Sequence, residues 1–546
     1  MAFVPTLTPS AAIEDESYAM EEKNLDGQAS VDVQPIGAGL VDSDKAEARK
    51  LFTYEDSIRL KRKADIRLIP LFILLYLVKN IDSNIISYVK TMNKGTHLNI
   101  LTQLHMTSDQ YAYLATTFTV SFALFEVPMN LFIKKATPRV SAPLLGPNLH
   151  LPPHQLQFVR IVGIWSIIVG CTAACQNAAG LYVCRFLLGL AEAGLWSGII
   201  YHWYRPDEVA TRLALLTMLG QFSGIIDSLL TYGLSYVTHG IAGWRWAFII
   251  CGLIGLVVTG MTWLWLPDWP DSPPSRRQFF TQEEGAFMAS RLPPNAASLH
   301  DMNFDWQAIK LELKSPLLYG FCAINFFGGT GTTGVAFWLP TINAALGLTQ
   351  GPSAQLLNIP PAVIFVIASI LTGLFIDRTV RIPKFVPMIT GFAGLIGEMI
   401  STILRPVLIC PGVFIGLIFA KSPGGRYTLI LLSYMFQAMF FVSVWPLRAI
   451  TIRGSTSSAF MFAFTNMISN LPGLYTAQIF RSKYAPVYAV PFGVCIIFFA
   501  AGLLASLFTW YHMYDIEKET RRVANLRRLA GKADGIVIEQ DVVVKS

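Results

Sequence analysis

Two charged residues stand in an otherwise apolar run, Arg185 and Glu192 in "LYVCRFLLGLAEAGLWSGIIYHW", residues 181–203. An arginine at the centre of a bilayer costs about 2.5–3.5 kcal/mol on insertion scales, so its presence there calls for a compensating role. The two positions lie close to two helical turns apart, so their side chains leave the same face, separated by about 10 Å along the axis. That distance is too long for a direct ion pair and puts both on one stripe. Gly189, Ala191, Ala193, Gly194 and Gly198 allow a neighbouring helix to come close. A guanidinium on such a stripe is a planar, permanently charged fork, the geometry that grips a carboxylate. The alternatives are a snorkel to the bilayer edge or a pair with an acid on a neighbouring helix.

Other polar residues interrupt apolar runs in the same way. Lys79 and Asp82 in "YLVKNIDSNII" are three apart and could pair on one helix face, or Asp82 could serve substrate or proton. Glu126 precedes Pro128 in "LFEVPMN" and is a protonatable carboxyl or a contact to the fourth or eleventh run. Asp227 in "GIIDSLL" is a further lone acid. Asn466 and Asn470, four apart, face one way and can hydrogen-bond a ligand or a neighbouring helix. Arg185, Asn466, Asn470 and Asp82 are therefore the substrate-binding candidates, and Glu126, Asp82 and Glu192 the proton-coupling candidates. Trp338 and Trp445 read as interface or packing aromatics rather than substrate platforms.

These residues need apolar helices to hold them. Of 546 residues 53% are hydrophobic and 14% charged, and the mean hydropathy is +0.48, which excludes an average soluble domain. The expected fold class is an all-α membrane protein with twelve transmembrane helices, each about 20 residues long to cross about 30 Å of hydrocarbon. The expected spans are residues 66–88, 110–133, 159–179, 181–203, 211–236, 244–266, 317–341, 354–376, 384–404, 427–447, 457–479 and 487–511. Residues 1–57 are rich in Asp, Glu, Ser and Gly and are expected to be a disordered cytoplasmic tail without a cleavable signal peptide. Basic residues gather before the first span, after the second, between the sixth and seventh, between the eighth and ninth, and in the C-terminal tail. Both termini are then cytoplasmic. This asymmetry explains the net charge of +7, which is no argument for nucleic acid. The seven cysteines form no CxxC pair or metal-ligand spacing and read as small packing residues.

The longest polar interior stretch, residues 268–315, divides the spans into six and six. The expected organisation is 1–57 tail, 58–267 N-terminal six-helix bundle, 268–315 central cytoplasmic loop, 316–513 C-terminal six-helix bundle and 514–546 cytoplasmic tail. An internal echo fits duplication: "NLFIKKATPR" follows the second span and "GLFIDRTVRI" the eighth. Together with "KNIDSNIISYVK", "FEVPMNLFIKK", "RFLLGLAEAG", "GWRWAFII" and "LPDWPDSP", these stretches make the chain resemble a major facilitator superfamily transporter. Within it the chain resembles the fungal anion:cation symporter branch of allantoate, nicotinate and pantothenate permeases. The resemblance implies two pseudo-symmetric bundles and a small carboxylate-bearing solute. It also implies a cytoplasmic gate in the turn after the eighth span, carried to Gly373, Asp377 and Arg378. The turn after the second span departs from that pattern, with Asn130 and Lys134 where glycine and an acid are usual.

No phosphate-cradling glycine loop of the Walker type is present, so no nucleotide or other cofactor is expected. Intramembrane carboxylates beside an arginine suit coupling to protons, with one proton offsetting the charge an anion brings. The reading is a non-enzymatic secondary transporter moving a small organic anion by proton symport. It acts as a monomer in the plasma membrane, with the lipid bilayer and protons as its other partners. Export of an acidic natural product and non-transporting nutrient sensing are the rivals on the same fold. A membrane-embedded enzyme would need reactive groups clustered, and the eight histidines are scattered. Residues 140–158 and 405–425 enlarge turns beyond what this organisation requires, and read as insertions or as translated intron sequence.

Overall fold

The computed structural model describes residues 54–135, 153–193, 203–204, 212, 215–216, 219–237, 239–267, 279–290, 306–345, 348–349, 351–379, 382–403, 423–449, 451, 455–479 and 489–533. Each of the twelve expected apolar runs meets a helix there. These are α1 (Tyr54–Val89), α2 (Ser108–Lys135), α3 (Pro153–Thr172), α4 (Ala178–Glu192), α5 (Phe222–Leu234) and α6 (Gly243–Trp265), followed by α7 (Pro316–Ala345), α8 (Ile359–Arg378), α9 (Val386–Ile403), α10 (Pro423–Ala449), α11 (Ser455–Asn470) and α12 (Ala489–Ala533). Among the described residues four helical stretches are long and apolar enough to cross a membrane: Gly243–Trp265, Gly351–Ile376, Pro423–Arg448 and Val490–Arg522. Charges dilute the hydropathy of α1, α2 and α4, and α4 and α5 are described over only 15 and 13 residues.

Several expected boundaries need correction. α1 begins at Tyr54, so residues 54–57 belong to a helix rather than to a disordered tail, and Ser57 is buried. The eleventh run is not one helix: α11 stops at Asn470 and is followed by a 3-10 turn, Leu471–Leu474, and a short helix, Thr476–Ile479. Pro472 lacks the N–H that would continue α11, which accounts for the break. α12 continues through the region expected as a tail, to Ala533. The central loop contains two short helices, Gln282–Ser290 and Trp306–Lys314. Residues 153–158, read from sequence as part of an enlarged turn, are the first turns of α3. The rest of that turn, residues 140–152, and residues 405–422 of the second lie outside the described residues.

The burial pattern is that of a protein in lipid. On α12 the exposed positions Val490, Ile497, Leu504 and Tyr511 recur every seven residues, while Cys495, Phe499, Ser506 and Thr509 are buried. On α6 Leu253, Val257 and Leu264 are exposed and Gly252, Gly255 and Thr262 are buried. Apolar residues outside and small or polar ones inside is the arrangement expected when the solvent is hydrocarbon. Gly252 shows why: a Cβ there would lie 2.9 Å from the Gly170 backbone of α3, so only glycine permits this approach. The largest buried apolar cluster runs from Leu60 to Met288, and the second, apart from Ala112, from Phe321 to Met513.

Contacts also join these two parts. Gln355 Nε2 donates to Thr91 Oγ1 at 2.8 Å, and Thr116 Oγ1 donates to the Leu474 carbonyl at 2.9 Å. Just past the end of α1, the buried Lys90 Nζ lies 3.6 Å from the Trp338 ring centroid on α7 and 5.8 Å from that of Tyr111. The ring face holds the cation by about 2 kcal/mol. Burial opposes it and, with Lys94 and against Asp109, brings the ammonium from 10.5 down to about 7. Burial therefore dominates. Between those two values the folded protein binds fewer protons than the unfolded chain, so stability rises as pH rises through that window and levels off below about 7. Lys90→Met is expected to raise the thermal unfolding temperature in detergent near pH 7, with the gain shrinking toward pH 10. A constant gain across the titration would show that the amine's charge is not what matters.

Candidate functional site

α4 opens at Asn177, whose side chain accepts the Gly180 N–H at 2.8 Å and satisfies one of the unpaired donors of the first turn. The helix then buries Leu181, Arg185, Leu188, Gly189 and Glu192, a stripe at helical spacing. Gly189, between the two charges, is where α4 touches α2: a Cβ there would overlap Ser121 Oγ and the Phe118 carbonyl oxygen. Gly189→Ala must push the helices apart, and overpacking of this kind costs about 1–3 kcal/mol. A lower unfolding temperature in detergent is the expected result; an unchanged one would mean the α2–α4 contact yields freely.

The Arg185 side chain is turned into the protein, at 4% exposure. Its Nη1 donates to the Asp82 backbone carbonyl on α1 at 3.4 Å, and its guanidinium carbon lies 6.0 Å from the Phe248 ring centroid on α6. Neither alternative read from sequence is what the structure contains: the side chain does not snorkel, and no carboxylate among the described residues forms an ion pair with it. Two acids nevertheless act on it from nearby, Asp82 and Glu192. Asp82 on α1, Glu192 on α4 and Asp227 on α5 are at most 1% exposed; the carboxylate oxygens of Glu192 and Asp227 have no hydrogen-bond partner among the described residues, and Asp82 lies beside the Trp165 indole. Asp82 interacts electrostatically with Arg185 and Glu192, and Asp227 with Asp82. Lys79 does not pair with Asp82, contrary to one reading of their spacing; its charge acts on Glu192 and on Glu126 instead.

A second polar group joins α2 to α11. Asn466 Nδ2 donates to Glu126 Oε1, and Asn470 Nδ2 donates to the Asn466 carbonyl at 2.8 Å. Of the contacts weighed for Glu126, the one to the eleventh span is formed. Asn466 and Glu126 hold one another, and Lys79 is the charge common to both polar groups. Trp338 is buried, with its Nε1 donating to the Ala477 carbonyl at 2.9 Å, a packing role. Gly373 is buried in α8; the side chains of Asp377 and Arg378 lie outside the described residues. Trp165, beside Asp82, and Phe248, beside Arg185, were not singled out from sequence, since an aromatic in an apolar helix carries no mark of what it faces. Among the described residues no three His, Cys, Asp or Glu side chains group as a metal site requires.

Residues 72–475 match the profile of the Major Facilitator Superfamily. The chain belongs to that superfamily. As a member of this superfamily it is a multi-pass membrane protein built on a transporter fold. It is 26% identical to the MFS-type transporter cnsO of Penicillium expansum over 86% of this chain and 85% of that protein. It is 24% identical to the major facilitator-type transporter hxnP of Emericella nidulans, over 93% and 96%. The similarity to MFS transporter prlL of a fungal species, strain NRRL 50135, is 30% over 58% of this chain but only 61% of that relative. Among solved structures, the proton:xylose symporter XylE bound to 6-bromo-6-deoxy-D-glucose superposes with a TM-score of 0.56 at 15% identity, covering 81% of this chain and 95% of that one. The E. coli fucose:proton symporter FucP superposes with a TM-score of 0.53 at 13% identity, over 81% and 98%. At these identities the structural likeness speaks for the fold: an all-α major facilitator architecture.

Proposed function

We propose that this chain is a secondary transporter that imports a small organic anion together with protons, with Arg185 as the carboxylate contact. The observation that carries the proposal is the buried guanidinium whose hydrogen bonding, among the described residues, is a single long bond to a backbone carbonyl. A cation taken out of water with most of its donors unused is stabilised strongly by a bidentate anion. The charge balance brings in the proton. Asp82 and Glu192 act on Arg185, Lys79 acts on Glu192 and Glu126, and Asp227 acts on Asp82, four acids against two bases. A bound monoanion adds one more negative charge, and one proton taken up by an acid of the group removes it. In this reading Asp82 and Glu192 exchange protons, Glu126 with Asn466 and Asn470 forms the opposing wall, and the α8 turn at Gly373, Asp377 and Arg378 gates the cytoplasmic side. The protein works as a monomer in the plasma membrane, with its termini in the cytoplasm and two six-helix bundles rocking about the site. The solute class is that of the fungal anion:cation symporters.

Uptake of labelled carboxylates into proteoliposomes with an imposed pH gradient tests this. Accumulation that follows the inward proton gradient and collapses with a protonophore is the expected result. Movement only against that gradient would make the protein an exporter, and binding without movement would make it a sensor; either outcome overturns the proposal.

A further inference from the structure

α3 ends at Thr172 and α4 begins at Ala178, and the reversal between them folds Cys175 back over the first turns of α4. A Cβ at Gly180 would lie 3.5 Å from Cys175 Sγ, which shows how closely the thiol rests on that helix. There it meets a second thiol: Cys175 Sγ and Cys184 Sγ are 3.7 Å apart. Cys175 is buried and Cys184 half-buried. An S–S bond is about 2.05 Å long, so a movement of less than about 2 Å brings the sulfurs into bonding range. The surroundings are cationic. The Arg245 guanidinium donates to the Ala173 carbonyl, two residues from Cys175, and Arg185 follows Cys184 directly in the chain. Cations beside a thiol favour the thiolate, which is the reactive form. Spacing alone assigned these cysteines only a packing role, because a separation of nine positions does not reveal that the reversal brings them together.

We infer that Cys175 and Cys184 are a redox-sensitive dithiol that a peroxide closes into a disulfide, pinning the start of the helix that carries Arg185. One thiolate attacks a peroxide oxygen: an S–O bond forms, the O–O bond breaks, and with one proton the departing oxygen leaves as water. The second thiol then attacks the sulfenic sulfur: the S–S bond forms, the S–O bond breaks, and a second water leaves. Two thiols are oxidised to one disulfide and one hydrogen peroxide is reduced to two waters. The inference is independent of the solute and of the direction of transport.

The test uses the full-length protein in detergent. It is treated with hydrogen peroxide, alkylated, reduced, alkylated again with a second mass label, and read by peptide mass spectrometry. The expected result is a roughly tenfold transfer of Cys175 and Cys184 together from the first label to the second, with the buried Cys251 and Cys495 unchanged. Cys171→Ser should leave that transfer intact, whereas Cys184→Ala should abolish it at Cys175. The oxidised parent should also unfold at a higher temperature than the reduced one, reversibly with reductant. Retention of the first label at both positions under peroxide overturns the inference, and so does a linkage to Cys171. The labelling of the parent decides the matter even if a cysteine variant fails to fold.

Discussion

Arg185→Lys and Arg185→Gln are both expected to abolish concentrative uptake of the carboxylate. A hydrogen bond to a charged group is worth about 1.5–3 kcal/mol, so losing both prongs of a bidentate contact lowers affinity by roughly 100-fold or more. Arg185→Gln loses the charge as well, and leaves the excess of acids around it less balanced. Arg185→Lys is the informative variant. It keeps the charge near Asp82 and Glu192 and so preserves most of the electrostatics, but a point-charge ammonium lacks the planar fork. A purely structural cation would tolerate the exchange. The measurement is initial uptake rate against substrate concentration, with protein amount and monodispersity matched in detergent; near-parental uptake by the lysine variant would remove Arg185 from the substrate contact.

The second large effect is on coupling. Asp82→Asn and Glu192→Gln remove a proton acceptor while keeping size and hydrogen-bonding capacity. Both side chains are at most 1% exposed; Glu192 has no hydrogen-bond partner among the described residues, and Trp165, the donor beside Asp82, can donate to an asparagine oxygen as well. Counterflow, which exchanges solute for solute without net proton movement, is expected to persist, while pH-driven accumulation falls at least tenfold in one or both variants. Equal loss of counterflow and accumulation would mean that the acids serve binding or folding instead. Asp227 belongs in the same series. It is fully buried on α5 and interacts with Asp82, so Asp227→Asn reports whether the acids exchange protons as a group.

Much of this arrangement could be read from residue types, and the reason is physical. Lipid forces each spanning segment to satisfy its own backbone, so an apolar run reads as helix, and each of the twelve runs meets one among the described residues. The stripe holding Arg185, Gly189 and Glu192 followed from helical period alone, and the overlap that a Cβ at Gly189 would create with α2 explains the small residue. Tertiary choice was not readable in this way. Lys79 and Asp82 have ion-pair spacing, yet Lys79 acts on Glu192 and Glu126 of other helices, a choice set by how α1 packs and not by spacing along it. Asn466 could have faced a ligand or a helix, and the choice of Glu126 depends on how α2 and α11 meet. The break after Asn470 was signalled by Pro472 but hidden inside a continuous apolar run. The pairing of Cys175 with Cys184 depends on a chain reversal whose geometry no spacing rule supplies.

The fork at the centre of the account can be observed directly, by determining an experimental structure of the protein with a transported carboxylate bound. Two carboxylate oxygens each within about 3 Å of an Arg185 guanidinium nitrogen are predicted, in place of the lone bond to the Asp82 carbonyl. A carboxylate bound elsewhere, with Arg185 still resting on that carbonyl, would contradict it.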